Sequence, residues 1–150
     1  MSHILVKNYV HIIFSTKKRQ PWIRPDGEDK LYEYVSRVCK SLECMPARVG
    51  GHRDHIHILC NLHRSISLVD LVDEVKIASE KWVKSNLPQQ QNFSWQQGYA
   101  GFSVGEDDVE RLGHYIDHQK HHHVFLRFED ELRRLLTENE IQFDEHLMWR

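Results

Sequence analysis

This sequence is poor in cysteine, in long apolar runs and in net charge. Its three cysteines, Cys39, Cys44 and Cys60, are an odd number and include no Cys-x-x-Cys pair, so they do not indicate a disulfide framework. No stretch has the length and apolarity of a signal peptide or a membrane-spanning helix. These absences favour a cytoplasmic protein without membrane contact, and the cysteines are expected to be small buried residues.

An excess of positive charge is also missing. The formal net charge is -2 and the sequence pI is near 6.6. A globally basic nucleic-acid-binding protein is therefore excluded, and any polyanion has to be bound by a local patch. With 150 residues, 40% of them hydrophobic, the chain is expected to form one domain over residues 1–150, with a core that needs no disulfide or metal.

Histidine is the residue in excess, with 12 copies. In the stretch His55-Ile56-His57-Ile58-Leu59-Cys60, histidines alternate with apolar residues. Alternation with a period of two is typical of a strand, so His55 and His57 are expected on one face, about 7 Å apart. Such a pair forms half of a metal site or a phosphate-handling site; two solvated histidines on a polar strand face are the simpler alternative.

The remaining pattern predicts an α+β fold. The predicted strands span residues 7–16, 45–50 and 55–61, with a fourth strand inside 93–104. The predicted helices span residues 28–42, 68–86 after an N-cap at Ser67, a segment that includes 109–119, and 128–140. This order is that of the ferredoxin-like split βαβ fold: a four-stranded antiparallel sheet with two helices on one face, plus C-terminal helices.

A second stretch, His114-Tyr115-Ile116-Asp117-His118-Gln119, falls in the third predicted helix. Tyr115 and Gln119 are one helical turn apart and so share a face. Taken alone, a tyrosine in that position is more often a packing residue than a nucleophile. The last predicted helix, with Phe128 and Leu132 on its apolar face, is expected to contribute packing and no chemistry.

Together the two stretches resemble the HUH single-tyrosine transposases, the small TnpA type of insertion sequences and their REP-associated relatives. Further similarity lies in the first strand running into Lys17-Lys18-Arg19, in residues 95–104, and in the tail 141–149. The resemblance therefore covers nearly the whole chain. Its motifs are weak one by one and specific in their combination and order.

The resemblance implies a function for each motif residue. Tyr115 is expected to be the nucleophile, and His55, His57 and Gln119 the ligands of Mg²⁺ or Mn²⁺. The implied substrate is single-stranded DNA, commonly beside an imperfect hairpin, and the implied reaction is cleavage and rejoining through a 5'-phosphotyrosine. A homodimer with sheets joined edge to edge is implied as well, and no small-molecule substrate is expected.

The chemistry requires help for the tyrosine, since a phenol with a pKa of about 10 attacks a phosphodiester poorly at neutral pH. A bound divalent cation supplies that help by stabilising the charge that builds on the phosphate. Trp22 or Trp95 offers a surface on which bases could stack. The cations expected to bind DNA are Lys17, Lys18, Arg19, Arg53 and Lys76.

The sequence bears on four alternative functions. Three of them are disfavoured by particular residues, and one remains open. A histidine-triad hydrolase needs a third alternating histidine where this chain has Leu59, and a two-histidine phosphoesterase needs paired His-x-Thr or His-x-Ser repeats. A zinc site of His55, His57, Cys44 and Cys60 is disfavoured because His57 and Cys60 lie on opposite strand faces. The serious alternative is a domesticated single-stranded DNA- or RNA-binding domain that keeps the fold and lacks catalysis.

Overall fold

A four-stranded antiparallel sheet forms the centre of the computed structural model, which describes residues 1–149. Its strands are β1 (Tyr9–Ser15), β2 (Pro46–His52), β3 (His55–Asn61) and β4 (Ala100–Val104). They lie in the order β2-β3-β1-β4, and each neighbouring pair is antiparallel. The predicted ferredoxin-like split βαβ fold is therefore confirmed.

Two long helices cover one face of the sheet: α1 (Glu28–Ser41) and α2 (Leu68–Asn86). The start of α2 agrees with the sequence prediction, since the backbone N–H of Asp70 donates to the Ser67 hydroxyl at 3.1 Å. The apolar side chains of β1 and β3 that face these helices form the main core. They are Val10, Ile12, Phe14, Ile56, Ile58 and Cys60.

The opposite face of the sheet is covered by the C-terminal helices α3 (Val109–Asp117), α4 (Gln119–His122) and α5 (Phe128–Glu138), which a short helix α6 (Glu145–Met148) follows. A second apolar cluster holds α5 on this face, and its members are Ile13, Phe102, Phe128, Leu132 and Leu136. Because side chains alternate along a strand, the histidines of β1 and β3 point to this second face. The sheet and the C-terminal helices therefore enclose them.

Helix α3 packs closely on β2 at a glycine. A Cβ at Gly50 would lie 2.8 Å from Cγ2 of Ile116 and 2.9 Å from its carbonyl oxygen. The end of α3 is also held to β2, since Arg48 Nε donates to Asp117 Oδ2 at 3.1 Å. Gly50 pairs with His57 across β2 and β3, so this contact places α3 next to the histidine pair.

The helix boundaries differ from the prediction in one place that matters for the site. The helix expected to run through Gln119 ends at Asp117, and His118, with φ -104° and ψ 22°, separates α3 from α4. The predicted last helix stops at Glu138, shortly before Glu140 takes a positive φ of 57°. Among residues 1–149, no helix is long and apolar enough to cross a lipid bilayer.

Candidate active site

The two histidines of β3 are completely buried. His55 and His57 are each 0% exposed, and their ring centroids are 5.1 Å apart. They face the C-terminal helices because β3 places its odd-numbered side chains on that side of the sheet. The simpler interpretation, a solvated polar strand face, is therefore wrong.

The Nδ1 atom of each of these histidines forms a hydrogen bond with a neighbouring side chain. His57 Nδ1 lies 2.8 Å from Nε2 of His11, a residue of β1 whose ring stacks on His57. His55 Nδ1 lies 2.8 Å from Oδ1 of Asp54. Burial lowers the pKa of His11 to about 3, so this ring is neutral at pH 7. Both Nε2 atoms are left to face the centre of the site.

A carboxylate from α5 occupies that centre. Glu131 is 0% exposed, and its Oε1 lies 3.3 Å from Nε2 of both His55 and His57 and 3.1 Å from Nε2 of His123. Burial alone would raise the pKa of Glu131, but its contacts with His123, His55 and His57 outweigh burial and hold that pKa well below its usual range. Glu131 is therefore ionised among imidazoles.

The two histidines of β3 respond differently to this carboxylate. Burial opposes protonation of His55, but its hydrogen bonds with Asp54 and Glu131 prevail and raise its pKa to about 9. Burial prevails for His57 and lowers its pKa. At pH 7 without metal, His55 is therefore an imidazolium paired with Glu131, whereas His57 is neutral.

Gln119 and Tyr115 complete the same cluster. Gln119 is 1% exposed; its Oε1 lies 2.8 Å from His55 Nε2, and its Nε2 donates to Glu131 Oε2 at 2.9 Å. The Tyr115 hydroxyl also donates to Glu131 Oε2, and the Tyr115 and His57 ring centroids are 6.0 Å apart. Burial, followed by the charge of Glu131, raises the pKa of Tyr115. The four motif residues therefore meet in space.

The donor set fits a divalent metal ion. One atom each from His55, His57 and Glu131 can be chosen so that all three lie within 4.8 Å of one another. Two imidazole nitrogens and a carboxylate oxygen bind Mn²⁺ and the later first-row metals well, and the oxygens of Glu131 and Gln119 also suit Mg²⁺. The buried group is therefore capable of binding a metal through residues of one chain.

Sequence analysis missed Glu131, since α5 was expected to contribute no chemistry, and it also missed the contacts of His11, Asp54 and His123 with the cluster. The signal for Glu131 was present: an acidic residue stands within the apolar stripe of Phe128, Leu132 and Leu135, on the helix face that is buried. A carboxylate on such a stripe needs a partner in the core. Which partner it meets depends on how α5 packs on the sheet.

Part of the predicted DNA-binding set lies near this site. Lys17, Lys18 and Arg19 form one helical turn directly after β1, and Lys18 and Arg19 have positive φ values of 54° and 55°. The Arg19 guanidinium is paired with Glu129 of α5 at 2.7 Å. Arg53 is exposed and lines a cleft that His123 also lines.

Lys76 and Trp95 belong to the other side of the sheet. Lys76 Nζ donates to the carbonyls of Gln96 and Gly98 at 2.9 and 2.6 Å and lies 5.1 Å from the Phe14 ring centroid. Trp95 is 7% exposed within the main core. These contacts give Lys76 and Trp95 structural roles. Because Trp95 is buried, it is not available to stack on a base.

Comparison with protein families gives a match that covers most of the chain. The model of the family described as "Transposase IS200 like" matches residues 5–119. The chain belongs to this family. It is accordingly a transposase by family, a class of DNA-processing enzymes. The matched residues include His55, His57, Tyr115 and Gln119 and end before Glu131.

Solved structures share the fold of this chain. A putative transposase from Deinococcus radiodurans R1 is 20% identical with a TM-score of 0.65, covering 79% of this chain and 95% of its own. A REP-associated tyrosine transposase, solved bound to a REP hairpin, is 13% identical with a TM-score of 0.59, covering 84% and 76%. Comparison with curated proteins finds no match. These likenesses agree on the split βαβ architecture.

Proposed function

We propose that this protein cleaves and rejoins single-stranded DNA through a covalent bond between Tyr115 and a DNA 5'-phosphate. One observation carries the proposal: the Tyr115 hydroxyl lies in the same hydrogen-bonded cluster as the buried histidine pair, joined to it through Glu131. A nucleophile beside a group able to hold a metal is the arrangement that phosphoryl transfer needs. Membership of a transposase family supports the same reaction class.

Mg²⁺ or Mn²⁺ is the proposed cofactor, held by His55 and His57 with oxygen from Glu131 or Gln119. When bound, the ion polarises a non-bridging phosphate oxygen and stabilises the charge that develops on it. The protein residues provide the rest. Asp54 and His11 fix the imidazole orientations through their hydrogen bonds with the Nδ1 atoms of His55 and His57.

The proposed step exchanges one phosphodiester for another. The Tyr115 oxygen forms a bond to phosphorus while the bond from phosphorus to the DNA 3'-oxygen breaks. The phenol proton passes by way of Glu131, which already accepts its hydrogen bond, to solvent water. The 3'-oxygen leaves with the electron pair and takes a proton from water. The reverse attack of a 3'-hydroxyl on the phosphotyrosine rejoins the strand without an external energy source.

Single-stranded DNA with a hairpin is the proposed substrate. The REP-associated relative was solved with a REP hairpin, which supports a hairpin as the element bound here. Lys17, Lys18, Arg19 and Arg53 are the proposed phosphate ligands at the end of the sheet where His55 lies. The histidine ligand atoms are enclosed, so DNA is proposed to approach from the side of Tyr115, which is only half-buried.

The direct test is a covalent-adduct assay. Wild type, Tyr115→Phe and the control Tyr99→Phe are incubated with single-stranded hairpin oligonucleotides from the flanks of the encoding gene, with Mg²⁺, Mn²⁺ or a chelator. A denaturing gel should show a metal-dependent protein–DNA band for wild type and Tyr99→Phe and none for Tyr115→Phe. An equally strong band from Tyr115→Phe would refute the assignment of the nucleophile.

A domesticated binding domain is the second candidate. The net charge of -2 and the enclosed site favour it, because a catalytic centre has to open to DNA. Binding of the oligonucleotides with no adduct under any metal condition would support this candidate. The intact set of His55, His57, Tyr115 and Gln119 favours the enzyme.

A further inference from the structure

A cleft of about 380 Å³ opens beside Tyr115, between strand β4 and helix α5. Tyr115 and His11 belong both to its lining and to the buried cluster described above. Ser103 of β4 and Asn139 after α5 line its outer part and are exposed. The cleft therefore connects solvent with the hydroxyl that is proposed to attack DNA.

Arg134 of α5 stands in this cleft and touches the nucleophile. Its Nη2 donates to the Tyr115 hydroxyl oxygen at 3.2 Å, while that hydroxyl donates to Glu131. The reacting oxygen therefore has a carboxylate as one neighbour and a guanidinium as another. The sequence patterns gave no reason to choose Arg134 from the 20 lysines and arginines of the chain.

The second interaction of Arg134, an ion pair with Glu138, is weak. Its Nε lies 3.8 Å from Oε1 of Glu138, and both side chains are about half exposed, at 48% and 61%. Exposed pairs of this kind hold their partners loosely. A guanidinium carries five N–H donors in a planar fork that matches phosphate, so Arg134 has donors to offer an anion beyond Tyr115 and Glu138.

We propose that Arg134 is a catalytic residue that binds the scissile phosphate from the cleft and stabilises the charge of the transition state. This inference rests on the proposed function. A phosphorus atom positioned for attack lies about 3–3.5 Å from the Tyr115 oxygen, and its oxygens then fall within reach of the Arg134 donors. Arg134 would bind one phosphate oxygen, while an ion held by His55, His57 and Glu131 would supply further charge stabilisation at the same phosphate.

Arg134 does not change which bonds form and break in the reaction or where the proton goes. The Tyr115–phosphorus bond forms, the bond to the 3'-oxygen breaks, and the phenol proton leaves by way of Glu131 to solvent water as before. The guanidinium neither gains nor loses a proton, since it remains charged throughout. It contributes hydrogen bonds that strengthen as negative charge builds on the phosphoryl oxygens, which lowers the barrier for cleavage and for the reverse joining.

The test compares Arg134→Ala and Arg134→Lys with Arg133→Ala, a neighbouring residue of α5 that pairs with Glu145 and Asp130. Single-turnover adduct formation should fall about 100- to 1,000-fold in Arg134→Ala, because removal of one charge-stabilising donor has an effect of that size. Arg134→Lys should recover part of the loss. Arg133→Ala should stay within about threefold of wild type, and all variants should keep the wild-type melting temperature and Mn²⁺ affinity.

A second measurement detects the phosphate contact without chemistry. In a Tyr115→Phe background, the slope of log affinity for single-stranded DNA against log salt should become less negative by about 0.7 in Arg134→Ala and stay unchanged in Arg133→Ala. An adduct rate within threefold of wild type, or an unchanged slope, would overturn the assignment. A wild type that forms no adduct would overturn the proposed function, while the slope would still decide whether Arg134 binds phosphate.

Discussion

His57 depends on a neighbour that is outside the HUH motif. The Nδ1 atom of a neutral imidazole that binds metal through Nε2 has to carry the proton and donate it. With a metal ion on Nε2 of His57, His11 Nε2, at 2.8 Å from His57 Nδ1, would be the acceptor. His11 is buried against β3 and Phe102, so its ring has little freedom to turn away. The orientation of His57 is therefore fixed from strand β1.

Removal of this acceptor should weaken metal binding. His11→Phe keeps an aromatic ring and loses the hydrogen bond, and we expect Mn²⁺ affinity to fall about 10- to 100-fold, as for outer partners of metal-binding histidines. His11→Gln places an amide oxygen near the former Nε2 and should retain more of the affinity. Titration calorimetry measures both variants. Equal affinities for His11→Phe and wild type would show that His11 does not orient the ligand.

The charge state of His55 gives metal binding a dependence on pH. Its pKa is raised to about 9, so below that pH a proton has to leave before Nε2 can bind an ion. Mn²⁺ affinity should therefore rise about tenfold per pH unit from pH 7 and level off near pH 9. Calorimetry in buffers of different protonation enthalpy should detect release of about one proton at pH 7. Affinity independent of pH from 7 to 8.5 would contradict this account.

The sequence predicted the motif residues and missed their partners. His55, His57, Tyr115 and Gln119 were predictable because strand alternation and helical spacing place them, and the family resemblance joins the two stretches. Glu131 and Arg134 were not, since their positions depend on how α5 crosses the second face of the sheet. That crossing is decided by apolar contacts between segments far apart in the chain, which local patterns do not reveal.

At the scale of elements, Gly50 of β2 determines how closely α3 approaches the sheet. Gly50→Ala would place a methyl group 2.8 Å from Ile116, so α3 has to shift and carry Tyr115 away from His57. We expect a loss of about 1–3 kcal/mol in the free energy of unfolding and slower adduct formation. Urea denaturation measures the first effect.

Gly105→Ala is the matched control for this substitution. Gly105 has a φ of -72° that any residue adopts, and an added Cβ there meets nothing within 4 Å in the described structure. Its stability should stay within about 0.5 kcal/mol of wild type. If the two variants were equally stable, the close approach of α3 and β2 would have no energetic weight.

Most element boundaries were predictable because alternation and helical periodicity are local. The break at His118 was not, since His118 N–H binds the carbonyls of His114 and Tyr115 in a turn that lets Gln119 point to His55. An uninterrupted helix was the simplest extension of the pattern. The packing of α4 against β2 favours the break at His118 over that uninterrupted helix.

At the scale of the whole molecule, all groups of the candidate site come from one chain. Tyr115 reaches the Glu131 that contacts His55 and His57 of the same protomer. The family resemblance implies a homodimer with joined sheets, but the chemistry proposed for this site needs no exchange of helices between copies.

Mixed variants test that arrangement. Tyr115→Phe and a second variant, His55→Ala with His57→Ala, each lack one half of the site. An equimolar mixture should form no adduct, because neither chain contains both halves. Wild type diluted with an inactive Tyr115→Phe/His55→Ala/His57→Ala chain serves as the control for assembly. Recovery of adduct in the mixture would mean that the tyrosine acts on the partner's site.

The decisive experiment locates the covalent bond between the protein and DNA. Wild type is incubated with a single-stranded hairpin oligonucleotide and Mn²⁺, digested with nuclease and trypsin, and analysed by mass spectrometry. The account predicts a nucleotide attached through phosphate to Tyr115, in the peptide that spans residues 112–120. A nucleotide on a different residue, or DNA that is cut without any attached peptide, would contradict it.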